Sequence, residues 1–209
     1  MDPEILFLSS IKTVIGMTRY LALSVAGMLV AASGAWAQAF GLAPGVPLSA
    51  LEVTEELGGN LYTIDVPSPH REFEFYVAYV GSAAGLCMVR GVGIDHESDR
   101  YGDSLRSAFG KLESLLENKY GRFYKGDFLK DGSIWNEPHE WVMAVAQNER
   151  VYQAVWDREE RSMLPDEVHD IILSASALDS DTSYLVLQYR FSNKDQCDAE
   201  LEELDAEAL

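Results

Sequence analysis

Two long strand-like runs between residues 73 and 94 constrain the fold more than any other feature of the sequence. Residues 73–80 are rich in aromatic and β-branched side chains, which favour the extended backbone of a strand. Residues 86–94 form a second apolar run after a turn of glycine, serine and alanine, and Gly91 and Gly93 within it indicate a bulge or an edge. The two runs together predict a β-hairpin.

A second hairpin is predicted near the end of the chain, at residues 168–178 and 184–191. The residues that separate its two runs, Asp179-Ser180-Asp181-Thr182, are typical of a turn. Shorter strands are predicted at residues 61–66 and 150–156, where apolar and β-branched residues recur.

One helix is predicted between the hairpins. Apolar residues recur at three- and four-residue steps from Leu105 to Tyr120, which is the spacing of one helix face. The helix is expected to start at Asp103 or Ser104 and to end before Gly121. Runs of strands with one helix between them predict an α+β fold, an antiparallel sheet built from hairpins with one long amphipathic helix packed on it.

The remaining segments have weaker patterns. Ser49 is expected to cap a short helix that stops at Gly58-Gly59, and residues 122–138 are expected to form an irregular excursion. A short helix is predicted within residues 137–147. Residues 195–209 are predicted to form an acidic helix or tail.

The first 37 residues have the pattern of a secretory signal peptide. Residues 20–37 carry no charge, Arg19 precedes them, and Ala35-Trp36-Ala37 has small residues where a signal peptidase recognises its substrate. A membrane anchor is the alternative, since the uncharged run reaches roughly the 18 residues that a transmembrane helix needs. Glycines and serines within the run favour cleavage after Ala37. We therefore predict a signal peptide over residues 1–37 and a single periplasmic or secreted domain over residues 38–209, with no stable membrane insertion after cleavage.

The chain is strongly acidic, with 34 Asp and Glu against 16 Lys and Arg and a formal net charge of −18. A protein with this charge repels nucleic acids and anionic membrane surfaces before any contact forms. Nucleic acid is therefore excluded as a partner, whereas a basic protein is compatible with the charge. The sequence does not indicate an oligomeric state.

The two cysteines, Cys87 and Cys197, agree with export. In an oxidising compartment, two cysteines without a third most simply form one intramolecular disulfide. The alternative, a reactive thiol or a metal ligand, has less support because the chain contains no C-x-x-C motif and no histidine partner is evident.

No motif of a known catalytic or cofactor site occurs. His139-Glu140 lacks the second histidine of a zinc-protease helix, and the polar loop around His96 is typical of a solvated turn. The Asp179 turn lacks the glycine and the glutamate of a calcium loop. The sequence therefore indicates no cofactor, no metal and no catalytic residues, and it favours a protein that is not an enzyme.

Aromatic and basic residues concentrate in one short stretch of this acidic chain. Exposed aromatic and cationic side chains are good anchors for a protein partner. The alternative is that the rings form a minor core at one end of the sheet. The residues of this candidate partner surface are Tyr120, Arg122, Phe123, Tyr124, Lys125, Phe128 and Trp135.

The start of the predicted mature chain resembles exported bacterial envelope proteins. Phe40-Gly41-Leu42, Gly45 and Ala50-Leu51 are similar to the opening of the SmpA/OmlA-type outer-membrane assembly lipoproteins, although the cysteine that carries their lipid is missing here. Later elements such as Lys119-Tyr120-Gly121 resemble uncharacterised proteobacterial envelope proteins. The resemblance implies an exported α+β module and carries no activity with it.

Three functions follow as hypotheses. The first is a non-enzymatic periplasmic interaction module whose aromatic-basic segment or exposed sheet edge meets another protein. The second is an inhibitor or immunity protein against a cationic envelope hydrolase, which suits an acidic exported chain. The third is an envelope hydrolase whose polar residues converge only in the folded protein.

Overall fold

A single eight-stranded antiparallel sheet dominates the computed structural model, which describes residues 39–207. The strands are β1 (Glu52–Gly58), β2 (Leu61–Asp65), β3 (Phe73–Gly81), β4 (Gly85–Gly93), β5 (Tyr124–Leu129), β6 (Arg150–Trp156), β7 (Val168–Ala177) and β8 (Ser183–Phe191). The α-helices of the described residues are α1 (Asp103–Tyr120), α2 (Trp141–Ala146) and α3 (Lys194–Glu207). The predicted signal peptide and its cleavage site lie outside the described residues.

The sheet consists of two halves that have the same internal order. Its strands run β1-β2-β3-β4-β8-β7-β6-β5 from one edge to the other, and every neighbouring pair is antiparallel. The N-terminal half, β1–β4, is therefore one meander, and the C-terminal half, β5–β8, is another. The last strand of each half meets the other at the centre, so the first strand of each half, β1 or β5, forms an outer edge.

The predicted fold class, an α+β fold with one long amphipathic helix packed on the sheet, is wrong. The sheet accounts for most of the architecture, and the longest helix of the described residues, α1, has only 18 residues. Residues 52–58 and 124–129 form the strands β1 and β5, where the sequence pattern favours a short helix and an irregular excursion, so the sheet is larger than the pattern indicates.

The sheet has two different faces. Apolar side chains from α1 and α2 pack on one of them, the helix face, together with Phe40 and Leu42 from the segment that precedes β1. A second apolar cluster lies on the other face. Successive side chains of β3 point to opposite faces, so Ala78 belongs to the helix-face core and Tyr79 to the second cluster. We call this other face the open face. Helix α3 lies there, against β3 and β4.

A disulfide between Cys87 and Cys197 joins β4 to α3, as the sequence predicted, with the two Cα atoms 6.4 Å apart. The Tyr79 hydroxyl donates to the Cys197 carbonyl at 3.0 Å, and the Asn193 amide donates to the Ala84 carbonyl at 2.9 Å. These contacts fix α3 over the N-terminal half of the open face. The disulfide is consistent with an oxidising compartment.

Glu200 adds a charged contact between α3 and the turn that joins β3 to β4. Its carboxylate accepts backbone N–H bonds from Ala83 at 3.1 Å and Ala84 at 2.7 Å, and the Ser82 hydroxyl donates to it at 2.9 Å. These bonds, that from Ala83 above all, lower the pKa of Glu200.

Within residues 39–207, no helix has the length and hydropathy that crossing a membrane requires.

Candidate functional site

The outer edge of β5 and the open face beside it form the candidate site. Side chains of a strand alternate between faces, so Tyr124 and Phe128 lie on the open face and Lys125 and Asp127 on the helix face. Tyr124 and Phe128 are each 47% exposed. Gly126 lies between the two rings on the same face. We call Tyr124, Gly126 and Phe128, with the outer backbone of β5, the aromatic edge.

Lys125 fixes β5 against the helix face. Its ammonium forms an ion pair with Glu113 of α1. It also lies 4.0 Å from the ring centroid of Phe109 and 4.4 Å from that of Tyr152, both within cation–π range. This lysine is thus engaged within the chain, which holds the strand in place while its other face stays open.

Asp127 is anchored in a similar way on the helix face. One of its carboxylate oxygens accepts a hydrogen bond from the Arg150 guanidinium of β6 at 2.9 Å. The aspartate side chain is nevertheless half exposed, because β5 is the last strand of the sheet.

One row of directly opposed residues crosses the open face from edge to edge and shows how its two halves differ. The row is Glu55, Thr63, Val77, Arg90, Gln188, Ile172, Val155 and Tyr124. In the N-terminal half, Val77 is 1% exposed and Arg90 is 4% exposed. In the C-terminal half, Ile172 and Val155 are only partly buried, and Tyr124 is exposed. Apolar side chains therefore come progressively into solvent toward β5.

Thr63 and Arg90 are the buried polar residues of this row, and Arg90 is the charged one. Its guanidinium Nε donates to the Gln188 side-chain carbonyl at 2.7 Å, and Arg90 and Gln188 lie on the two strands that join the halves. This bond across the centre of the sheet satisfies a buried polar group and holds the halves in register.

The structure separates the seven residues of the predicted partner surface. Tyr120 is buried at the end of α1, and its ring lies 6.4 Å from that of Tyr189. Phe123 packs on Trp156 with 4.9 Å between ring centroids. These two rings serve the core, which was the alternative considered for this stretch. A contact between a partner protein and any of the seven residues stays a prediction.

Arg122 and Trp135 flank β5 at its two ends. Arg122 is exposed and lines an open cavity of about 520 Å³ together with Lys125, Arg161 and the carboxylates Glu117, Glu159 and Glu160. Trp135 is half-buried in the turn after β5, where its backbone N–H donates to the Ser133 hydroxyl at 3.2 Å. The cavity holds three cations and three anions, so it has no strong preference for the charge of a ligand.

A second cavity, of about 400 Å³, lies between α1 and the segment before β3. Its lining includes Leu115, Lys119, His70 and Phe40. The His70 Nδ1 accepts the Glu72 backbone N–H at 3.3 Å. The described lining contains no carboxylate that could act with this histidine.

Burial and hydrogen bonding shift the pKa values of several tyrosine and aspartate side chains. Burial raises the pKa of Tyr76 and Tyr184, and it raises that of Tyr189 well above the usual value. The backbone N–H of Asp181 is the main cause of the lowered pKa of Asp179, a turn residue.

Within residues 39–207, no group of three or more His, Cys, Asp or Glu residues is placed to hold a metal ion.

Sequence reasoning missed Gly126 and the partly buried residues Val155 and Ile172 as parts of this surface, and Asp127 as part of the same strand. The available signal was the period of two from Tyr124 to Phe128, in which aromatic residues alternate with charged ones. Gly126 obscured it, because glycine weakens a strand pattern.

Comparisons with known proteins identify no relative of this chain. No protein-family model, curated protein or solved structure matches the chain. The similarity to assembly lipoproteins at residues 40–51 therefore stays a prediction, and the geometry of the sheet carries the functional argument.

Proposed function

We propose that the chain is an exported, non-enzymatic protein-interaction module that binds an extended segment of another polypeptide along the aromatic edge. The bound segment would add a ninth strand next to β5. The observation that carries the proposal is that β5 is a regular edge strand with two exposed aromatic rings, whose charged side chains are already paired within the chain.

Sheet edges expose unpaired backbone N–H and C=O groups, and most proteins protect them with charges, bulges or covering segments. The β1 edge is protected in this way. It carries Glu52, Glu55 and Glu56, and its pairing with β2 has two register irregularities. Another strand approaching β1 would meet negative charge and a distorted backbone.

The β5 edge is less protected, because its two charged side chains, Lys125 and Asp127, lie on the helix face and are paired with Glu113 and Arg150. It pairs with β6 over six consecutive residues without a bulge, and its open face carries two aromatic rings and a glycine. Among the described residues, no further strand pairs with its outer side. Main-chain hydrogen bonds would give affinity to an added strand, and the rings would select its side chains.

The chemistry of the edge defines the class of partner. An added strand places every second side chain on the open face, beside Tyr124, Phe128 and the partly buried Val155. The partner segment therefore needs aromatic or β-branched residues at alternate positions. Because the chain carries a net charge of −18, an acidic partner is repelled at long range, so its binding depends on the contacts at the edge and strengthens as ionic strength rises.

Export is part of the proposal. The predicted signal peptide and the Cys87–Cys197 disulfide support a periplasmic or secreted location. The partner would then be a protein of the cell envelope or its surroundings.

Site-specific photocross-linking in cells tests this proposal. A photoreactive amino acid is placed at position 124 or 128 on the aromatic edge, and at position 53 on β1 as the matched control, since Val53 is 41% exposed. We expect discrete adducts from positions 124 and 128 and none from position 53. If a strand is added, mass spectrometry should map the two adducts to one partner segment, about four residues apart.

The proposal is overturned if positions 124 and 128 give no adduct beyond that of position 53. It is also overturned if their adducts map to unrelated segments, because a paired strand fixes the spacing of its contacts.

A further inference from the structure

The five residues from Tyr124 to Phe128 read as an aromatic, a cation, a glycine, an anion and an aromatic. This order is self-complementary when the strand is paired with an antiparallel copy of itself. From it we infer that a second copy of this chain occupies the aromatic edge, with β5 against β5 and Gly126 opposite Gly126. The inference rests on the proposed function and names its partner.

The pairing places complementary groups opposite each other. Tyr124 lies opposite Phe128 of the second copy, and Lys125 lies opposite Asp127 of the second copy. Because the arrangement has two-fold symmetry, each of these pairs occurs twice. Gly126 lies on the axis, where the absence of a side chain lets the two strands approach.

The aromatic pairs fall on the open face. Directly opposed residues of an antiparallel pair share a face, so the rings that are exposed in one copy cover each other in two. Ring pairs across strands are among the stronger contacts in sheets.

The charged pairs fall on the helix face and extend ion pairs that are already present. Lys125 contacts Glu113, and Asp127 contacts Arg150. Across the interface the charges would alternate in the order Glu113, Lys125, Asp127 of the second copy, Arg150 of the second copy. Each charge then has neighbours of the opposite sign only.

The neighbouring registers are disfavoured, so the pairing has one preferred alignment. A shift by two residues in one direction places Lys125 opposite Lys125 of the second copy, and a shift in the other direction places Asp127 opposite Asp127. Like charges that oppose each other directly destabilise a strand pair. A shift by one residue would move side chains to the wrong face.

Exposed apolar side chains gather at both ends of β5. Ile134, in the turn after β5, is largely exposed, and so is Met163, whose backbone N–H donates to the Tyr120 carbonyl at 2.7 Å. In the antiparallel dimer, the end of one β5 meets the start of the other. Ile134 of one copy would therefore lie near Met163 of the other and enlarge the apolar contact.

The same geometry limits the assembly to two copies. Pairing β5 with β5 uses both regular edges and leaves a β1 edge at each end of the joined sheet. These ends carry the glutamates and bulges that oppose further strand addition. We therefore expect a closed dimer and no filament.

Analytical ultracentrifugation of the purified, oxidised chain tests the inference. We expect a monomer–dimer equilibrium whose Kd rises by roughly 100-fold in the variant Tyr124→Lys/Phe128→Lys, because two aromatic pairs are replaced by opposed lysines. Val53→Lys on the β1 edge is the matched control and should leave Kd unchanged. Far-UV circular dichroism of each variant verifies that it is folded.

Cysteine cross-linking tests the register independently. Tyr124→Cys and Phe128→Cys chains should form an intermolecular disulfide when mixed, whereas each alone should cross-link far less, because each position opposes the other and not itself. A wild-type chain that stays monomeric at several hundred micromolar overturns the inference. A dimer that is insensitive to the lysine variant, or cysteine pairs that do not depend on mixing, also overturns it.

Failure of this inference is distinguishable from failure of the proposed function. A photoadduct from position 128 at twice the mass of the chain agrees with a second copy. An adduct with another protein from a monomeric chain overturns the dimer and leaves strand addition in place. A monomeric chain without adducts overturns both.

Discussion

The two halves of the sheet share one topology and differ in how they are closed. In the N-terminal half, α3 covers the open face, the Cys87–Cys197 disulfide fixes it there, and the outer strand β1 is acidic and irregular. In the C-terminal half, α3 makes no comparable contact, and the outer strand β5 is regular and aromatic. Identical strand order therefore does not make two edges equivalent. Charges, bulges and covering segments decide which edge pairs with another chain.

The disulfide gives the largest predicted effect. Replacing both cysteines by serine is expected to lower the free energy of unfolding by roughly 3–5 kcal/mol, since the bridge closes a long loop in the unfolded chain. Urea unfolding of the oxidised wild type and the double variant measures it. A loss below about 1 kcal/mol would show that α3 does not close the N-terminal half in the way described.

Two valines in the same row compare the halves directly. Val77→Ala is expected to cost about 2 kcal/mol, because it removes buried methyl groups and leaves a cavity. Val155→Ala, at a partly buried position, is expected to cost less than about 1 kcal/mol. Both changes lose similar strand propensity, so urea unfolding isolates the difference in burial. Equal losses of unfolding free energy would mean that the open face is covered to the same extent in the two halves of the sheet.

A charge reversal tests the self-complementary edge. Asp127→Lys places a lysine opposite Lys125 of the second copy and is expected to raise the dimer Kd by about tenfold. Asp131→Lys changes the net charge equally from a position beyond the strand and is the control. Because either variant makes the acidic chain less negative, overall charge alone would strengthen association. If Asp127→Lys lowers Kd or leaves it unchanged in sedimentation experiments, as Asp131→Lys should, the effect comes from overall charge and not from strand pairing.

The smallest effect concerns Glu200 and pH. Its lowered pKa in the folded protein means that the carboxylate contributes stability above the unfolded-state pKa of about 4.3. This contribution is lost as the pH falls through the lowered pKa. The variant Glu200→Gln should therefore be less stable than wild type near neutral pH, and the difference should shrink below about pH 4. Thermal unfolding between pH 3 and pH 7 measures it. A difference that stays constant with pH would contradict the assigned contacts.

Central strands could be predicted from the sequence, whereas edge strands could not. Residues 73–80 and 184–191 are mostly buried on both faces, so they read as largely apolar runs. In β1, Glu55 and Glu56 among apolar residues resembled the polar side of a helix, and β5 contains a glycine and two charges within six residues. An edge strand has one partner and one solvated side, so its composition is weakly constrained.

The candidate site was only partly predictable for a related reason. The sequence located the aromatic-basic segment, and Tyr124 and Phe128 are exposed within it. It could not show that Tyr120 and Phe123 turn into the core or that Lys125 pairs with Glu113, since these contacts depend on which face each residue occupies. Once β5 is known to be a strand, its alternation assigns the faces.

Hydrogen exchange at the two edges tests most directly the central claim, that β5 accepts a strand and β1 does not. Amide exchange is measured for residues 124–129 and residues 52–58 over a range of concentrations of the oxidised chain. We expect protection of the β5 amides to increase with concentration while the β1 amides exchange at a constant rate. Equal behaviour of the two edges, or protection confined to β1, would contradict the claim.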